Sequence, residues 1–166
     1  MNTRTRLSIV AFLSLLAMPA TGLADDKILS FDTMTGVVRP FTGAANAIRG
    51  VPGGGIPWKV AEAKGDLRTD GRIRVRVEGL VLAEGANAGR NPIAQFKAIV
   101  SCLTPATDPT TGALVAATVN RSTNTFPASV EGDSEIEDVV SLPTPCIAPI
   151  VFVTSPTGSW FSATGF

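Results

Sequence analysis

The chain has 166 residues, with 14 basic and 14 acidic side chains, two cysteines, no histidine and no tyrosine. Apolar residues make up 45% and charged residues 17%, which excludes a highly charged disordered polypeptide. A formal charge of zero leaves no electrostatic footprint for nucleic acid, and the missing histidine excludes Ser-His-Asp and Cys-His triads and every histidine metal site.

The first segment reads as a signal peptide over 1–24. Arg4 and Arg6 form a positive start, and 7–18 is an apolar run of 12 residues. Pro19 breaks that run, and Gly22 and Ala24 place small residues at the positions a signal peptidase reads. A membrane anchor would need about 20 apolar residues. Its removal leaves 12 basic and 14 acidic residues, a net charge of −2, which gives no pull towards anionic membranes. No membrane insertion is expected after cleavage, and the protein is placed in the periplasm or the extracellular medium.

Residues 25–57 supply one strand, over 27–34, and then a Gly/Pro-rich connection. Within it Gly53-Gly54-Gly55 resembles a phosphate-cradling loop, but no Gly-Lys-Ser/Thr follows, and a flexible connection is expected. Period-two alternation then dominates. Ile73, Val75 and Val77 point one way while Arg72, Arg74, Arg76 and Glu78 point the other, as in a half-buried strand. Asp70-Gly71 lies between two extended runs, predicting an antiparallel hairpin of 58–69 with 72–82 through a type I′ turn. Leu80 and Leu82 share parity with the charged face, so a β-bulge near Gly79 is expected to return them to the core.

After a Gly/Asn-rich loop over 85–92, alternation resumes over 93–103, with Ala94, Phe96, Ala98, Val100 and Cys102 on one face. A second loop is expected over 104–112. Short strands follow, marked by Val115, Ala117 and Val119, by Phe126, Ala128 and Val130, and by 134–142. The run 147–154 is apolar on both faces, as in a covered strand, yet Pro149 cannot donate to a ladder and demands a bulge or an edge. A turn at Ser155-Pro156-Thr157-Gly158 leads into a last strand over 159–164. About nine strands at this spacing define an all-β chain, a single antiparallel β-sandwich with Greek-key-like connections spanning 58–166, to which 25–57 belongs. The core is expected at Ile73, Val75, Val77, Phe96, Val100, Val151 and Val153.

Cys102 and Cys146, 44 positions apart, read as one structural disulfide in an exported protein. Closing a loop of that size is worth roughly 4 kcal/mol in the chain-entropy account. With no histidine to generate a thiolate, a catalytic thiol is the weaker alternative.

Arg72, Arg74 and Arg76 form the candidate surface-binding row, able to grip carboxylates, phosphates or sulfated sugars. The plainer reading is a solvated sheet face paired with Glu62, Glu78, Glu135 or Glu137. Asp133, Glu135, Glu137 and Asp138 lack the spacing and turn glycine of a calcium loop, so no metal is assigned. Asn120-Arg121-Ser122 fits the glycosylation acceptor pattern. Trp58, Trp160 and Phe161 could form an aromatic platform, although scarce aromatics in a sandwich are more often core. A terminal Phe166 suits an outer-membrane barrel strand, but the missing tyrosine and polar Ser162 and Thr164 argue against a barrel.

The runs Gly79-Leu80-Val81-Leu82, Asn91-Pro92-Ile93-Ala94-Gln95-Phe96-Lys97-Ala98-Ile99-Val100-Ser101-Cys102 and Ser141-Leu142-Pro143-Thr144-Pro145-Cys146-Ile147-Ala148-Pro149-Ile150-Val151 resemble a family of small secreted bacterial proteins of unknown function. The resemblance covers most of 58–166, and its distinctive element is Cys146 in a Pro-x-Pro-Cys-x-Ala-Pro setting. It implies export and a β-rich domain and carries over no catalytic residue. A fainter similarity over 65–80 is to the chordin-type domain, whose copper-enzyme relatives bind metal through histidines; that chemistry does not transfer to a histidine-free chain.

The expected function is therefore that of an exported, non-catalytic binding or structural module, without a cofactor, whose ligand is a protein or a glycan. The competing class is a histidine-free carbohydrate-active hydrolase, since glycoside cleavage needs only two suitably spaced carboxyl groups. An envelope stress or adhesion component is a third possibility.

Overall fold

A computed structural model of the chain describes residues 26–164. The leader expected over 1–24 and the terminal Phe166 lie outside the described residues. Twelve strands form: β1 (Lys27–Phe31), β2 (Met34–Gly36), β3 (Trp58–Lys59), β4 (Glu62–Arg68), β5 (Arg72–Glu78), β6 (Val81–Leu82), β7 (Gln95–Thr107), β8 (Leu114–Ser122), β9 (Phe126–Pro127), β10 (Ser134–Val139), β11 (Ile147–Thr154) and β12 (Trp160–Thr164). There is no helix among the described residues. One sheet has four strands in the order β1-β4-β5-β10. A six-stranded sheet runs β2-β12-β11-β7-β8, with β9 also on β7, and β3 and β6 form a separate pair. Every ladder between these strands is antiparallel. The chain passes from one sheet to the other at β1–β2, β9–β10 and β10–β11, and also between β2 and β4 through β3 and between β5 and β7 through β6, so strands distant in sequence become neighbours. The architecture is the all-β, antiparallel one expected, with twelve strands in place of nine.

The four-stranded sheet follows from alternation. On β5, Ile73, Val75 and Val77 are buried while Arg72, Arg74 and Arg76 are exposed. Ala63 and Leu67 on β4 and Ile136 on β10 bury the same face. The hairpin pairs Leu67 with Ile73 and Ala63 with Val77. Its turn differs from expectation. Thr69, Asp70 and Gly71 all lie outside the strands, Gly71 N donates to Arg68 O at 3.0 Å, and Gly71 has φ 85° whereas Asp70 stays out of the left-handed region. A three-residue loop needs one positive φ, so this is not the two-residue type I′ turn. Gly79 (φ 64°) breaks the ladder as predicted, and Leu80 and Leu82 return to the core. Beyond the break the hairpin resumes as the β3–β6 pair, with Trp58 opposite Leu82.

The six-stranded sheet buries both faces where β11 meets β12. Val151, Phe152, Val153 and Thr154 are consecutive and all at 0% exposure. One face meets the other sheet; a segment over 37–57 covers the second. Val37 N donates to Phe161 O, Trp160 N to Pro52 O, and Gly54 N to Trp160 O, each at 2.8 Å. This corrects the flexible connection expected at Gly53-Gly54-Gly55. Gly53 and Gly54 are buried, and a Cβ on Gly53 would sit 2.0 Å from Phe41 O. Only glycine lets the 37–57 segment fold back on itself so closely.

Three further boundaries differ from expectation. The single strand expected over 27–34 divides into β1 and β2, which join different sheets. The loop expected over 104–112 begins later, because β7 continues through Pro105 to Thr107. Pro105 faces Ala116 across β7–β8, in a position that asks no N–H of it. The strand marked by Phe126, Ala128 and Val130 shrinks to β9. Pro149 is accommodated by a bulge: the β11–β7 register shifts between Ile147 and Ile150. All seven predicted core residues are at most 1% exposed.

Candidate functional site

The arginine row on β5 lies between β4 and β10, so register fixes its neighbours. Arg74 is opposite Asp66 on one side and Glu137 on the other, and Arg76 is opposite Lys64 and Glu135. Arg74 Nη2 donates to Glu137 Oε1 at 2.6 Å, Arg76 Nε to Glu78 Oε1 at 2.9 Å, and Arg72 Nε to Asp70 Oδ2 at 2.7 Å. The hydrogen bond it donates to Glu137, reinforced by that carboxylate's charge, raises the pKa of the Arg74 guanidinium above its ordinary value. Each predicted arginine is thus engaged by a carboxylate. The face is a mosaic of both signs, with no concentrated positive field for a polyanion.

The acidic residues are dispersed in the same way. Asp133 accepts from Gly79 N at 2.9 Å and so holds the bulge that ends β5. Asp138 accepts from Asn124 N and Val139 N, each at 2.8 Å. Those backbone donors, Asn124 first, hold its carboxyl below the usual aspartate range. No group of three or more potential metal ligands converges among the described residues. Asp70 and Asp108 are also lowered, by the backbone N–H groups of Arg72 and of Thr111 and Thr110 respectively. Both sit in hairpin loops, where a carboxylate facing successive amides fixes the turn.

Glu62 and Glu78 are direct partners across β4–β5 and line a groove of about 240 Å³ that also includes Asp32, Lys64 and Arg76. This carboxylate pair was not readable from the expected hairpin: a two-residue turn at Asp70-Gly71 would set Glu62 opposite Gly79, and the three-residue loop shifts the register by one to bring Glu78 there. The aromatic platform is not a surface: Trp58, Trp160 and Phe161 are each at most 4% exposed. Trp58 stacks on Phe161 at 3.9 Å, and Phe96 packs edge-on against both. The Asn120 amide, in the glycosylation-like triplet, donates to Arg49 O at 3.0 Å.

Cys102 and Cys146 form the predicted disulfide, with Cα atoms 5.0 Å apart. It ties β7 to the chain just ahead of β11, beside the Pro149 bulge. Arg49 completes the repair of that bulge: its Nη1 donates to Ser101 O at 3.0 Å and to Ala148 O at 2.8 Å. Arg49 and Ala148 are the non-glycine residues with positive φ among those described, at 49° and 45°. Sequence reasoning missed Arg49, since an Arg-Gly pair in a loop carries no local sign of a partner 99 positions away.

Beyond the disulfide, β7 and β8 continue as a ribbon. Leu114 is 78% exposed and Val115 42%. No family model, curated protein or solved structure matches this chain. Fold and surface define its class: a disulfide-bridged antiparallel β-sandwich whose charged face is largely paired within itself.

Proposed function

We propose that the protein is an exported, non-catalytic binding or structural module of the periplasm or the extracellular medium. The observation that carries this reading is the use of its ionisable groups. Arg72, Arg74 and Arg76 are each spent on a neighbouring carboxylate, while Asp133 and Asp138 are spent on backbone amides. Such groups build a sheet and its loops; they are not arranged around a reacting atom. The disulfide supports export, because cystine bridges persist in oxidising compartments. The resemblance to small secreted bacterial proteins points the same way. The ligand is a protein or a glycan.

One observation favours a second reading. Glu62 and Glu78 face each other beside a groove, which is the paired-carboxylate arrangement a histidine-free glycoside hydrolase needs. Arg76 engages Glu78 at 2.7 Å, which argues for structure over catalysis. A pull-down with the purified protein from periplasmic and culture-supernatant extracts, run beside a glycoside panel, separates the two. A retained partner with no turnover fits the module. Turnover lost in Glu62→Gln or Glu78→Gln would replace it with the hydrolase.

A further inference from the structure

The four outer strands of the two sheets are not alike. β1 carries Lys27 and a register break between Lys27 and Leu29. β10 carries Glu135, Glu137 and Asp138, and β2 is only three residues long. Charge, bulges and shortness are the ordinary means of stopping edge-to-edge pairing. β8 has only Arg121, next to its last residue. It is nine residues long, and Leu114-Val115-Ala116-Ala117-Thr118-Val119-Asn120 contains no charge and no proline.

The ladder phase shows which backbone groups are free. Thr123 N donates to Ala98 O at 3.0 Å, which makes Ala98–Thr123 a bonded pair. Bonded pairs alternate along an antiparallel ladder, so Arg121, Val119, Ala117 and Val115 turn their N–H and C=O towards β7. Leu114, Ala116, Thr118, Asn120 and Ser122 turn theirs outward. The Asn120 carbonyl is taken by Arg121 Nη1 at 3.2 Å. Leu114, Ala116 and Thr118 form the uncharged stretch of this open edge, and no strand lies beyond β8 among the described residues.

We infer that β8 pairs antiparallel with β8 of a second copy of this chain, about a two-fold axis at Ala116. In that register Ala116 bonds to its own counterpart, and Leu114 bonds to Thr118 on either side. The outward groups of Leu114, Ala116 and Thr118 all find partners, and the six-stranded sheets join into one. The run suits itself better than it suits a charged partner, because it offers nothing for charge to meet. The two Arg121 side chains end up about 33 Å apart, far beyond the screening length. The short pairing places the dimer among weak, concentration-dependent assemblies.

The test is sedimentation equilibrium on the disulfide-bonded chain from its native host, with Ala116→Pro and Ala116→Lys variants. Proline removes an outward N–H that β7 does not use, and lysine places two like charges across the axis. The expected result is a twofold mass at about 100 μM, with monomer in both variants and an unchanged far-ultraviolet spectrum. A monomer for the natural chain at every concentration would overturn the inference and leave the edge to another protein's strand. A dimer that survives Ala116→Lys at low salt would place the interface elsewhere. Should Ala116→Pro fail to fold, Ala116→Lys decides alone.

Discussion

The two sheets of this sandwich solve burial differently. The four-stranded sheet keeps one face wet, so each strand alternates: Val75 is fully buried between exposed Arg74 and Arg76. The six-stranded sheet is dry on both faces where β11 meets β12, so β11 carries Val151, Phe152 and Val153 in succession. The first sheet needs only a partner sheet. The second also needs a lid, which the chain supplies as 37–57, with glycines where backbone meets backbone. The wet sheet is stable through pattern, the dry one through close fit, and substitutions should fail in correspondingly different ways.

The largest effect should come from breaking the pattern. Val75→Asp places an unpaired charge at a position with 0% exposure. The penalty should exceed about 4 kcal/mol, a large part of a typical domain's stability. The expected outcome is loss of soluble folded protein; full retention of the melting transition would contradict the placement of Val75. Next in size is replacement of Cys102 and Cys146 together by serine. The bridged segment spans 44 positions, so the loss should be about 4 kcal/mol by chain entropy. Chemical denaturation of the oxidised chain against the double variant measures it directly.

The fit of the dry sheet is tested by smaller changes. Gly53→Ala adds one carbon 2.0 Å from Phe41 O, so the 37–57 segment must rearrange within itself where it docks on Trp160. An overpacking cost of about 2 kcal/mol follows, with faster hydrogen exchange at the Trp160 and Gly54 amides. Arg49→Ala leaves the Ser101 and Ala148 carbonyls without their charged donor, and should cost about 2 kcal/mol. The equivalent truncation in the wet sheet, Arg74→Ala, should leave the melting temperature unchanged, because its ion pair is exposed. Equal losses at Arg49 and Arg74 would remove the distinction drawn between the sheets.

How much of this was legible follows from the same contrast. Alternation over β5 and the Asp70-Gly71 turn announced the hairpin, its charged face and its core side, because those signals lie within a few residues. Gly79 and Pro149 announced their bulges, since each disrupts a ladder by its own covalent geometry. The disulfide was legible from there being two cysteines in a chain whose first segment reads as an export signal. The cover was not. Gly53 and Gly54 read as a flexible link because the atoms that forbid a side chain there belong to Phe41, Trp58 and Phe161. Splitting 27–34 between two sheets likewise depends on β4 and β12, which no window around Lys27 contains. At the candidate site the arginine row was readable, but not the choice of partners. Arg76 takes Glu78 on its own strand although Glu135 stands opposite, a choice made by side-chain reach.

The smallest effect concerns pH, and it too divides the molecule. Asp138, at the edge of the wet sheet, is lowered because the Asn124 and Val139 amides donate to its ionised form. A carboxyl lowered on folding contributes stability that is present above its unfolded value, near pH 4, and is lost as pH falls through the folded value. Acidification below about pH 4 should therefore loosen the Asn124 turn and the β10 edge before the dry sheet responds. Asp70 and Asp108, also lowered, act in the same direction at their own turns. Asp138→Asn should flatten the stability profile in this acidic window by lowering the neutral melting temperature slightly, while leaving the stability at pH 3 nearly unchanged. Hydrogen exchange at Asn124 and Val139 between pH 5 and pH 3 would locate the change, with correction for the intrinsic rate. A loss that begins instead at Ile99 or Phe152 would mean that acid enters through the lid, and that the close-fitting sheet is the weaker of the two.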